Sequence, residues 1–353
     1  MREVTVGILG AVGAVGQRYV SMLSSHPYLK IGSLMGRRSA GKAYSEAARW
    51  ILPGRIPEAS ASMHVMEATP GSADGCDVIF SALPSEAARE LEPKFAREGF
   101  MVISEASAHR MDEDVPLIIP EVNPDHLSLL KEQRKRRGWK RGMVTTPNCT
   151  ATGLVMVMKP LLDTFGLGKT VVTTMQAVSG AGWDGVPSMA ILENVIPFVD
   201  GEEEKVVREA QKMLGTMTAG GLRQADVPMS VACNRVPTMD GHLETLYCET
   251  ARKAPAREVV RVLRGYRSVP QKLGLPTAPK EPIIVMDEQD RPQPRLDRMA
   301  GSVPGMSVVV GRVRNGFDES SLQMVVLSHN TVRGAAGTAI LTAEMMASSG
   351  YLE

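Results

Sequence analysis

Val4-Thr-Val-Gly-Ile-Leu9, followed at once by Gly10-Ala-Val-Gly-Ala-Val-Gly16, is the stretch that decides the fold. Its apolar first half is typical of a buried strand, and a helix is predicted from about Gln17 to Ser25. Glycines between a strand and a helix allow the main chain to approach a pyrophosphate at the helix N-terminus. A tight packing turn is the alternative explanation of the G-x-x-G-x-x-G spacing. The position within a strand–turn–helix unit favours a dinucleotide-binding domain.

Short apolar strands alternate with helical or loop segments as far as Thr145. Further strands are predicted at Ile31–Met35, Asp77–Ser81, Met101–Ser104, Leu117–Ile119 and Met143–Thr145, and a helix at Ser85–Arg97. This alternation predicts an α/β domain built on a Rossmann-type doubly wound parallel sheet.

The pattern changes after Phe165, where strands follow one another without regularly interposed helices. Strands are predicted at Thr170–Val178, Met229–Asn234, His242–Thr250, Ile283–Met286, Ser307–Arg314 and Leu322–Ser328. Helices are predicted at Val186–Phe198, Glu202–Leu214, Ala256–Tyr266 and Thr331–Ser349. Several strands alternate in polarity, which predicts an α+β domain with a mixed or antiparallel sheet. We therefore predict one domain of residues 1–147 and 331–353, completed by the last helix, and a second of residues 148–330.

The segment after the second strand indicates which dinucleotide binds. It reads Gly36-Arg-Arg-Ser-Ala-Gly-Lys42 and contains no carboxylate that would bind a ribose hydroxyl and repel a 2′-phosphate. Arginine binds phosphate through paired hydrogen bonds. The side chains of Arg37, Arg38 and Ser39 therefore predict NADP rather than NAD, with a solvated basic loop as the alternative.

A reactive thiol is predicted within Thr145-Thr-Pro-Asn-Cys-Thr-Ala-Thr-Gly153. A helical pattern begins directly after Cys149, with apolar residues at steps of three and four: Leu154, Met158, Leu161, Leu162 and Phe165. Asn148 and Thr150 are residue types that cap helix starts. Cys149 is thus predicted in a first helical turn, where free N–H groups and the helix dipole favour a thiolate and an oxyanion. A small buried hydrophobe at a helix start is the alternative.

The composition restricts the class of protein. The 353 residues are 43% hydrophobic and 22% charged, with a formal net charge of +1 and four scattered cysteines. The sequence also has no run of about 18 apolar residues and no Cys-x-x-Cys pair. Together with the near-zero charge, these features predict a soluble cytoplasmic protein without a disulfide framework, a metal site, a nucleic-acid partner or a membrane partner. The basic run Lys131–Arg141 is interpreted as a solvated helix and turn.

A further candidate group surrounds the sequence Cys233-Asn-Arg-Val-Pro-Thr-Met-Asp-Gly-His242. A turn at Asp240-Gly241 would return His242 near Arg235, so that an imidazole and a fixed cation face one cleft. An enzyme with a cysteine nucleophile needs a proton-transfer partner, which is usually histidine.

The ordered motifs resemble those of the aspartate-β-semialdehyde dehydrogenase family, in particular its archaeal and fungal-like branch. The resemblance covers nearly the whole chain and runs through the glycine loop, Arg37–Lys42, Ser107–Met111, Pro147–Thr150, Gln176–Gly182, Gly201–Lys205, Asn234-Arg-Val-Pro, Asp240–His242, Arg291–Arg298 and Ser328–Gly334.

The resemblance implies a role for each candidate residue. Cys149 is the implied nucleophile, His242 the acid/base and Gln176 the group that orients the reacting acyl group. Arg235 would bind the substrate α-carboxylate and Glu202 its amino group, whereas Arg110 and Lys205 would hold the phosphate. The implied NADP-binding residues are Gly10, Val12, Gly13, Ala14, Val15, Arg37, Arg38, Ser39, Ser81, Ser179, Gly180, Asn330 and Gly337.

The implied activity is the reductive dephosphorylation of L-aspartyl-4-phosphate to L-aspartate 4-semialdehyde through a cysteine thioester, in lysine, threonine and methionine biosynthesis. The implied partners are a small-molecule substrate, phosphate and further copies of the chain, as a homodimer or homotetramer. Residues 148–330 would be the catalytic and dimerisation domain. An NADPH-dependent reductase of acyl-CoA such as malonyl-CoA, and a non-catalytic NADP-binding regulator, are the alternatives.

Two positions depart from the family pattern. Val12 stands where the glycine loop usually carries threonine, and Glu105 stands where many relatives have asparagine. Glu105 belongs to the segment before Arg110, so its carboxylate would alter the cofactor or phosphate pocket that the resemblance implies.

Overall fold

The computed structural model describes residues 2–352, which divide into two compact units. The first unit comprises residues 2–118, 125–147 and 335–352, and the second comprises residues 119–124 and 148–334. Among residues 2–352, no helix is both long enough and apolar enough to cross a membrane.

The strands are, in chain order, β1 (Val4–Leu9), β2 (Leu29–Met35), β3 (Val65–Met66), β4 (Val78–Ser81), β5 (Met101–Ser104), β6 (Gly142–Thr145), β7 (Thr170–Gln176), β8 (Thr216–Thr218), β9 (Gly221–Arg223), β10 (Met229–Arg235), β11 (His242–Glu249), β12 (Ile283–Val285), β13 (Val308–Asn315) and β14 (Ser321–Ser328). The α-helices are α1 (Ala14–Leu23), α2 (Tyr44–Ala47), α3 (Glu58–Ala61), α4 (Ser85–Arg97), α5 (Leu129–Arg137), α6 (Cys149–Phe165), α7 (Ser188–Ile191), α8 (Glu202–Met213), α9 (Ala256–Gly265), α10 (Val269–Leu273), α11 (Pro294–Asp297) and α12 (Gly337–Ser348). Short 3-10 helices lie at Pro70–Ala73, Ser107–His109, Pro124–Ser128 and Val178–Ala181, and a π-helical turn lies at Val332–Ala336.

The first unit contains a six-stranded sheet in the order β3-β2-β1-β4-β5-β6. All its neighbouring strands are parallel. Apolar side chains from the strands and α4 form a buried cluster that includes Leu9, Ile79, Phe95, Val102 and Met143. The strand order reverses on either side of β1, and ligands of such sheets bind at the carboxyl ends of the strands at that point. The predicted doubly wound fold is confirmed.

The second unit contains a mixed six-stranded sheet in the order β10-β7-β11-β14-β13-β12. The outer pairs β10–β7 and β12–β13 are parallel, and the inner pairs are antiparallel. Helix α6 packs on β11, β13 and β14 and against helices α8 and α9. Alternate residues of β11, which begin with His242 and Glu244, are therefore buried. The predicted mixed sheet in the second part of the chain is confirmed.

Four local predictions need correction. Helix α1 begins at Ala14 rather than Gln17, so it starts inside the glycine loop. Leu117 makes only an isolated bridge to Thr145, and the predicted strand at Leu117–Ile119 is not formed. The predicted helix Val186–Phe198 is reduced to the single turn α7. The closing helix Thr331–Ser349 is interrupted at Ala335, whose φ of −154° and ψ of −115° are not helical.

Candidate active site

Cys149 is the first residue of α6, as the sequence predicts. The side chain of Asn148 caps the helix and accepts hydrogen bonds from the N–H groups of Thr150, at 2.9 Å, and Ala151, at 3.2 Å. The Cys149 side chain is partly exposed. It therefore lies where the positive end of the helix dipole favours a thiolate.

His242, the first residue of β11, lies beside the thiol. Its Nε2 atom is 3.1 Å from Cys149 Sγ, and its Nδ1 atom accepts a hydrogen bond from the N–H of Ala177 at 3.1 Å. Burial, together with the Arg235 guanidinium and His329, lowers the pKa of His242 to about 3. Because Nδ1 is an acceptor, the neutral ring carries its hydrogen on Nε2, which faces sulfur. The resting imidazole is thus placed as a hydrogen-bond donor to a thiolate.

Three polar side chains converge on one carboxylate oxygen of Glu202. Its Oε1 atom accepts from Asn148 Nδ2 at 2.8 Å, from Thr150 Oγ1 at 3.3 Å and from Gln176 Nε2 at 3.4 Å. Gln176 also donates to Thr150 Oγ1 at 2.9 Å. Glu202 begins α8 and Gln176 ends β7, so these bonds join the start of α6 to the sheet.

Arg235 ends β10 and pairs in register with Gln176 on β7. Its Nη1 atom donates to the carbonyl oxygen of Ala177 at 2.8 Å, and the side chain is buried. A methyl group built on Gly180 would lie 2.8 Å from Arg235 Nη1 and 3.1 Å from His242 Cε1. The Gly180 main chain therefore packs against both side chains.

The remaining predicted residues of the second unit occupy two places. Asn330 donates from Nδ2 to Ser179 Oγ at 2.8 Å and accepts from the N–H of Gly241 at 2.9 Å. Through Gly241, Asn330 fixes the residue directly before His242. Lys205 is exposed on the first turn of α8.

Two buried carboxylates of this unit were missed at the sequence level. Glu209 accepts from the N–H of Asn148 at 2.6 Å, and its position seven residues after Glu202 on α8 is a helical spacing that could have revealed it. Glu244 lies two residues after His242 on the same face of β11. Burial, and then the nearby Glu202, raise the pKa of Glu244 well above its usual range.

The glycine loop of the first unit fits a dinucleotide. Gly10 has a φ of +75°, and a methyl group built on Gly16 would lie 2.2 Å from the Gly10 carbonyl oxygen, so both positions require glycine. Gly13 caps α1 without a side chain. The first turn, which includes Ala14 and Val15, therefore presents main-chain N–H groups that a pyrophosphate can accept from.

The predicted nucleotide-specificity residues follow β2. The side chains of Arg37 and Arg38 are exposed, and a methyl group built on Gly36 would lie 2.5 Å from Ser39 Oγ. Val12 is partly exposed in the loop, Ser81 is buried at the end of β4, and Gly337 begins α12. The glycine loop, the basic residues after β2 and the start of α12 are groups that suit a phosphorylated dinucleotide.

Arg110 and Glu105 are joined within the first unit. Arg110 Nη2 donates to the carbonyl oxygen of Glu105 at 2.6 Å. The Glu105 carboxylate accepts from Tyr19 Oη at 2.6 Å and from Thr146 Oγ1 at 2.7 Å, and burial raises its pKa. The residue that departs from the family pattern is thus hydrogen bonded inside the unit. Arg110 belongs to this unit and Lys205 to the other.

These features define a class: an oxidoreductase with a dinucleotide-binding α/β unit and a cysteine–histidine pair on a second unit. Residues 5–130 match the family profile described as semialdehyde dehydrogenase, NAD binding domain. Residues 158–333 match the profile described as semialdehyde dehydrogenase, dimerisation domain. The chain belongs to the semialdehyde dehydrogenase family.

Relatives extend over the whole chain. It is 48% identical over 346 residues to the aspartate-semialdehyde dehydrogenase of Methanothermobacter thermautotrophicus, with 97% of this chain and 99% of the relative covered. It is 43% identical to the malonyl CoA reductase (NADP) of Metallosphaera sedula, with 100% and 99% covered. The crystal structure of aspartate semialdehyde dehydrogenase with NADP from Candida albicans has a TM-score of 0.90 at 40% identity and covers 99% of both chains.

Proposed function

We propose that the chain is an NADP-dependent aspartate-semialdehyde dehydrogenase that converts L-aspartyl-4-phosphate to L-aspartate 4-semialdehyde in amino-acid biosynthesis. The single observation that carries the proposal is the 3.1 Å contact between Cys149 Sγ and His242 Nε2 at the start of α6. The relatives of the same family that are named for this activity support it.

The Cys149 thiolate attacks the β-carbonyl carbon, a C–S bond forms, and the bond from that carbon to the phosphate oxygen breaks. The N–H groups of Thr150 and Ala151 already donate to the Asn148 side chain, so we assign stabilisation of the oxyanion to the positive end of the α6 dipole. NADPH, when bound, supplies the hydride that reduces the thioester carbon to the aldehyde level. The C–S bond then breaks and returns the electron pair to Sγ. The proton consumed overall ends on the released phosphate.

His242 contributes mainly through its Nε2 hydrogen. That hydrogen stabilises the thiolate before the attack and again when the C–S bond breaks. Service as a base would require the hydrogen on Nδ1, which faces the N–H of Ala177. The resting geometry therefore favours the donor half of the predicted acid/base role.

We assign substrate recognition to Arg235 for the α-carboxylate and to Glu202 for the α-amino group. The hydrogen bonds that Glu202 accepts all fall on Oε1, so Oε2 is the oxygen proposed to bind the ammonium. We assign Gln176 to orientation of the acyl group, and Arg110 and Lys205 to the phosphate.

We assign NADP binding to residues 1–147 and 331–353, through the glycine loop and the basic residues Arg37 and Arg38. Gly337 lies within this domain, and Ser179, Gly180 and Asn330 are proposed to contribute from residues 148–330. Catalysis and dimerisation are assigned to residues 148–330.

The decisive experiment measures NADP reduction with aspartate semialdehyde plus phosphate, beside NADPH oxidation with malonyl-CoA. We expect activity in the first assay and little in the second. Arg235→Lys keeps the charge but loses paired hydrogen bonding, so kcat should fall and KM should rise. Efficient malonyl-CoA reduction, with Arg235→Lys near wild type on aspartate semialdehyde, would instead establish the acyl-CoA reductase, the second candidate that the Metallosphaera relative supports.

We further propose that the chain forms a homodimer or homotetramer in a reducing cytoplasmic compartment. The matched dimerisation profile supports self-association. The segment 183–198 exposes large apolar side chains, namely Trp183, Met189, Leu192, Val195 and Phe198. Light scattering should show an oligomer, and the double variant Met189→Asp/Phe198→Asp should weaken it if this segment is an interface.

A further inference from the structure

A fully buried ion pair joins Arg333 to Glu121 in the second unit. Arg333 Nη1 lies 2.9 Å from Glu121 Oε1, and Nη2 lies 2.7 Å from Oε2. Neither side chain is exposed to solvent. Burying two charges costs desolvation energy that an apolar pair of similar volume avoids, so stability alone is a weak reason for such a pair.

Arg333 is followed directly by Gly334, which packs against the nucleophile. A methyl group built on Gly334 would lie 2.7 Å from Cys149 Cβ, 2.9 Å from its Cα and 3.2 Å from its carbonyl oxygen. The first two separations are shorter than side-chain carbons tolerate. The Gly334 main chain is therefore a wall of the space that holds the Cys149 side chain.

The other end of the ion pair is held rigidly. Glu121 lies in a turn closed by the N–H of Val122 to the Ile119 carbonyl, at 2.8 Å. Asn123 Oδ1 accepts from the N–H of Ile119 at 2.9 Å, and Tyr266 Oη donates to the Glu121 carbonyl at 2.5 Å. Arg333 Nη2 also lies 2.9 Å from Met156 Sδ on α6, the helix that Cys149 begins. The guanidinium thus connects a fixed turn, helix α6 and the segment before Gly334.

We propose that Glu121 and Arg333 are positioning residues for catalysis, which hold Gly334 against Cys149 so that Sγ stays within reach of His242 Nε2. The inference rests on the proposed function for its kinetic consequence. Neither residue touches the reacting atoms. If the pair is loosened, Gly334 recedes, the Cys149 side chain gains room to rotate, and the sulfur loses its hydrogen-bond donor.

Two variants test the proposal. Arg333→Lys keeps the charge but cannot form the paired hydrogen bonds. The double variant Glu121→Leu/Arg333→Met replaces the pair with apolar side chains and leaves no uncompensated buried charge. Arg137→Lys is the matched control. Arg137 likewise donates two hydrogen bonds to one carboxylate: in the first unit, its Nε and Nη2 atoms lie 2.6 and 2.5 Å from the oxygens of Asp114.

Each protein is assayed for its melting temperature, for kcat and KM, and for the rate of Cys149 alkylation by iodoacetamide between pH 5 and 9. We expect Arg333→Lys and the double variant to lower kcat about 10–100-fold, the scale of a misplacement of about 1 Å, with KM nearly unchanged. Alkylation of both should slow about tenfold at neutral pH, and its pH profile should move upward. Arg137→Lys should match the wild type in kcat and in alkylation.

A folded Arg333→Lys enzyme with wild-type kcat and wild-type alkylation would overturn the proposal, and so would a folded double variant with both unchanged. Alkylation needs neither substrate nor cofactor. A wild-type chain inactive on aspartate semialdehyde would therefore refute the proposed function, while the alkylation rates of the variants would still decide the positioning role.

Discussion

The two sheets present their proposed ligand-binding groups by different means. At β1 of the first unit the contacts come from main-chain N–H groups beside Gly10 and Gly16 and from exposed arginines. In the second unit they come from buried side chains, including Gln176, Arg235 and His242. A site built on main chain depends on the absence of side chains, whereas a site built on buried polar side chains depends on the identity of each. The largest losses of activity are therefore expected in the second unit.

Cys149→Ser tests the strongest consequence. We expect a loss of turnover of at least about 10³-fold with NADP binding unchanged, because a serine hydroxyl is a poor nucleophile without a strong base. Steady-state rates and fluorescence titration of NADPH measure the two quantities. Weakened NADPH binding by this variant would contradict the proposal that the first sheet binds the cofactor and the second carries the nucleophile.

The position of Cys149 at a helix start predicts that it is labelled before the other three cysteines. Burial raises the pKa of Cys76 to about 11 and those of Cys233 and Cys248 to about 12. Iodoacetamide should therefore alkylate Cys149 first. Equal labelling of all four residues in peptide mass spectra would contradict the activation of Cys149 by the helix start.

His242→Asn should lower kcat by about 10²–10⁴-fold, the usual range for a group that transfers or donates a proton, with little change in KM. Because the pKa of His242 lies at about 3 in the resting structure, its ionisation should not appear in the pH profile of kcat/KM between pH 5 and 8. An ionisation near pH 6.5 in the kcat/KM profile of the wild type that is absent from the profile of His242→Asn would show instead that the ring titrates in its ordinary range.

The double variant Arg37→Ala/Arg38→Ala should weaken NADP binding by about 1.5–3 kcal/mol for each lost charge-assisted contact and affect NAD far less. Calorimetric titration with both cofactors measures the difference. Arg55→Ala, another exposed arginine of the first unit, is the control. Equal losses of binding free energy for NADP and NAD would indicate that the loop is a surface turn without a role in cofactor specificity.

Glu244→Gln has the smallest expected effect, and it acts on stability. The folded pKa of Glu244 is raised above its unfolded value, so the folded chain keeps a proton that the unfolded chain releases. The stability that the protonated Glu244 carboxyl group contributes is complete below about pH 4.5 and is lost as the pH rises toward the pKa of Glu244 in the folded protein. At pH 7 the variant should therefore have a higher free energy of unfolding than the wild type, and the difference should vanish near pH 4.

Urea unfolding at several pH values measures this effect, with Glu249→Gln on the same strand as the control. A difference between Glu244→Gln and the wild type that does not depend on pH would show that the carboxyl group is ionised in the folded protein.

Prediction succeeded where short stretches of chain carry their own signal. The strand at Val4–Leu9 and the start of a helix at Cys149 were confirmed, because apolar runs and capping residues act within a few positions. The helix expected at Val186–Phe198 was wrong because its apolar side chains do not cover a core: Met189, Val195 and Phe198 are more than half exposed. A periodic pattern shows how apolar residues are spaced along the chain. It does not show whether the folded protein has a core surface for them to pack against.

By itself, the sequence determined the doubly wound sheet, the mixed second sheet, the family and the identities of the candidate catalytic side chains. Only the tertiary structure decided which atoms meet. Ala177 N–H fixes the hydrogen of His242 on Nε2 from 65 positions away, and Arg333 binds Glu121 across 212 positions. The physical reason is range: strand and helix preferences act between neighbours, whereas a buried polar atom is satisfied by whatever partner the packing of the whole unit places within about 3 Å.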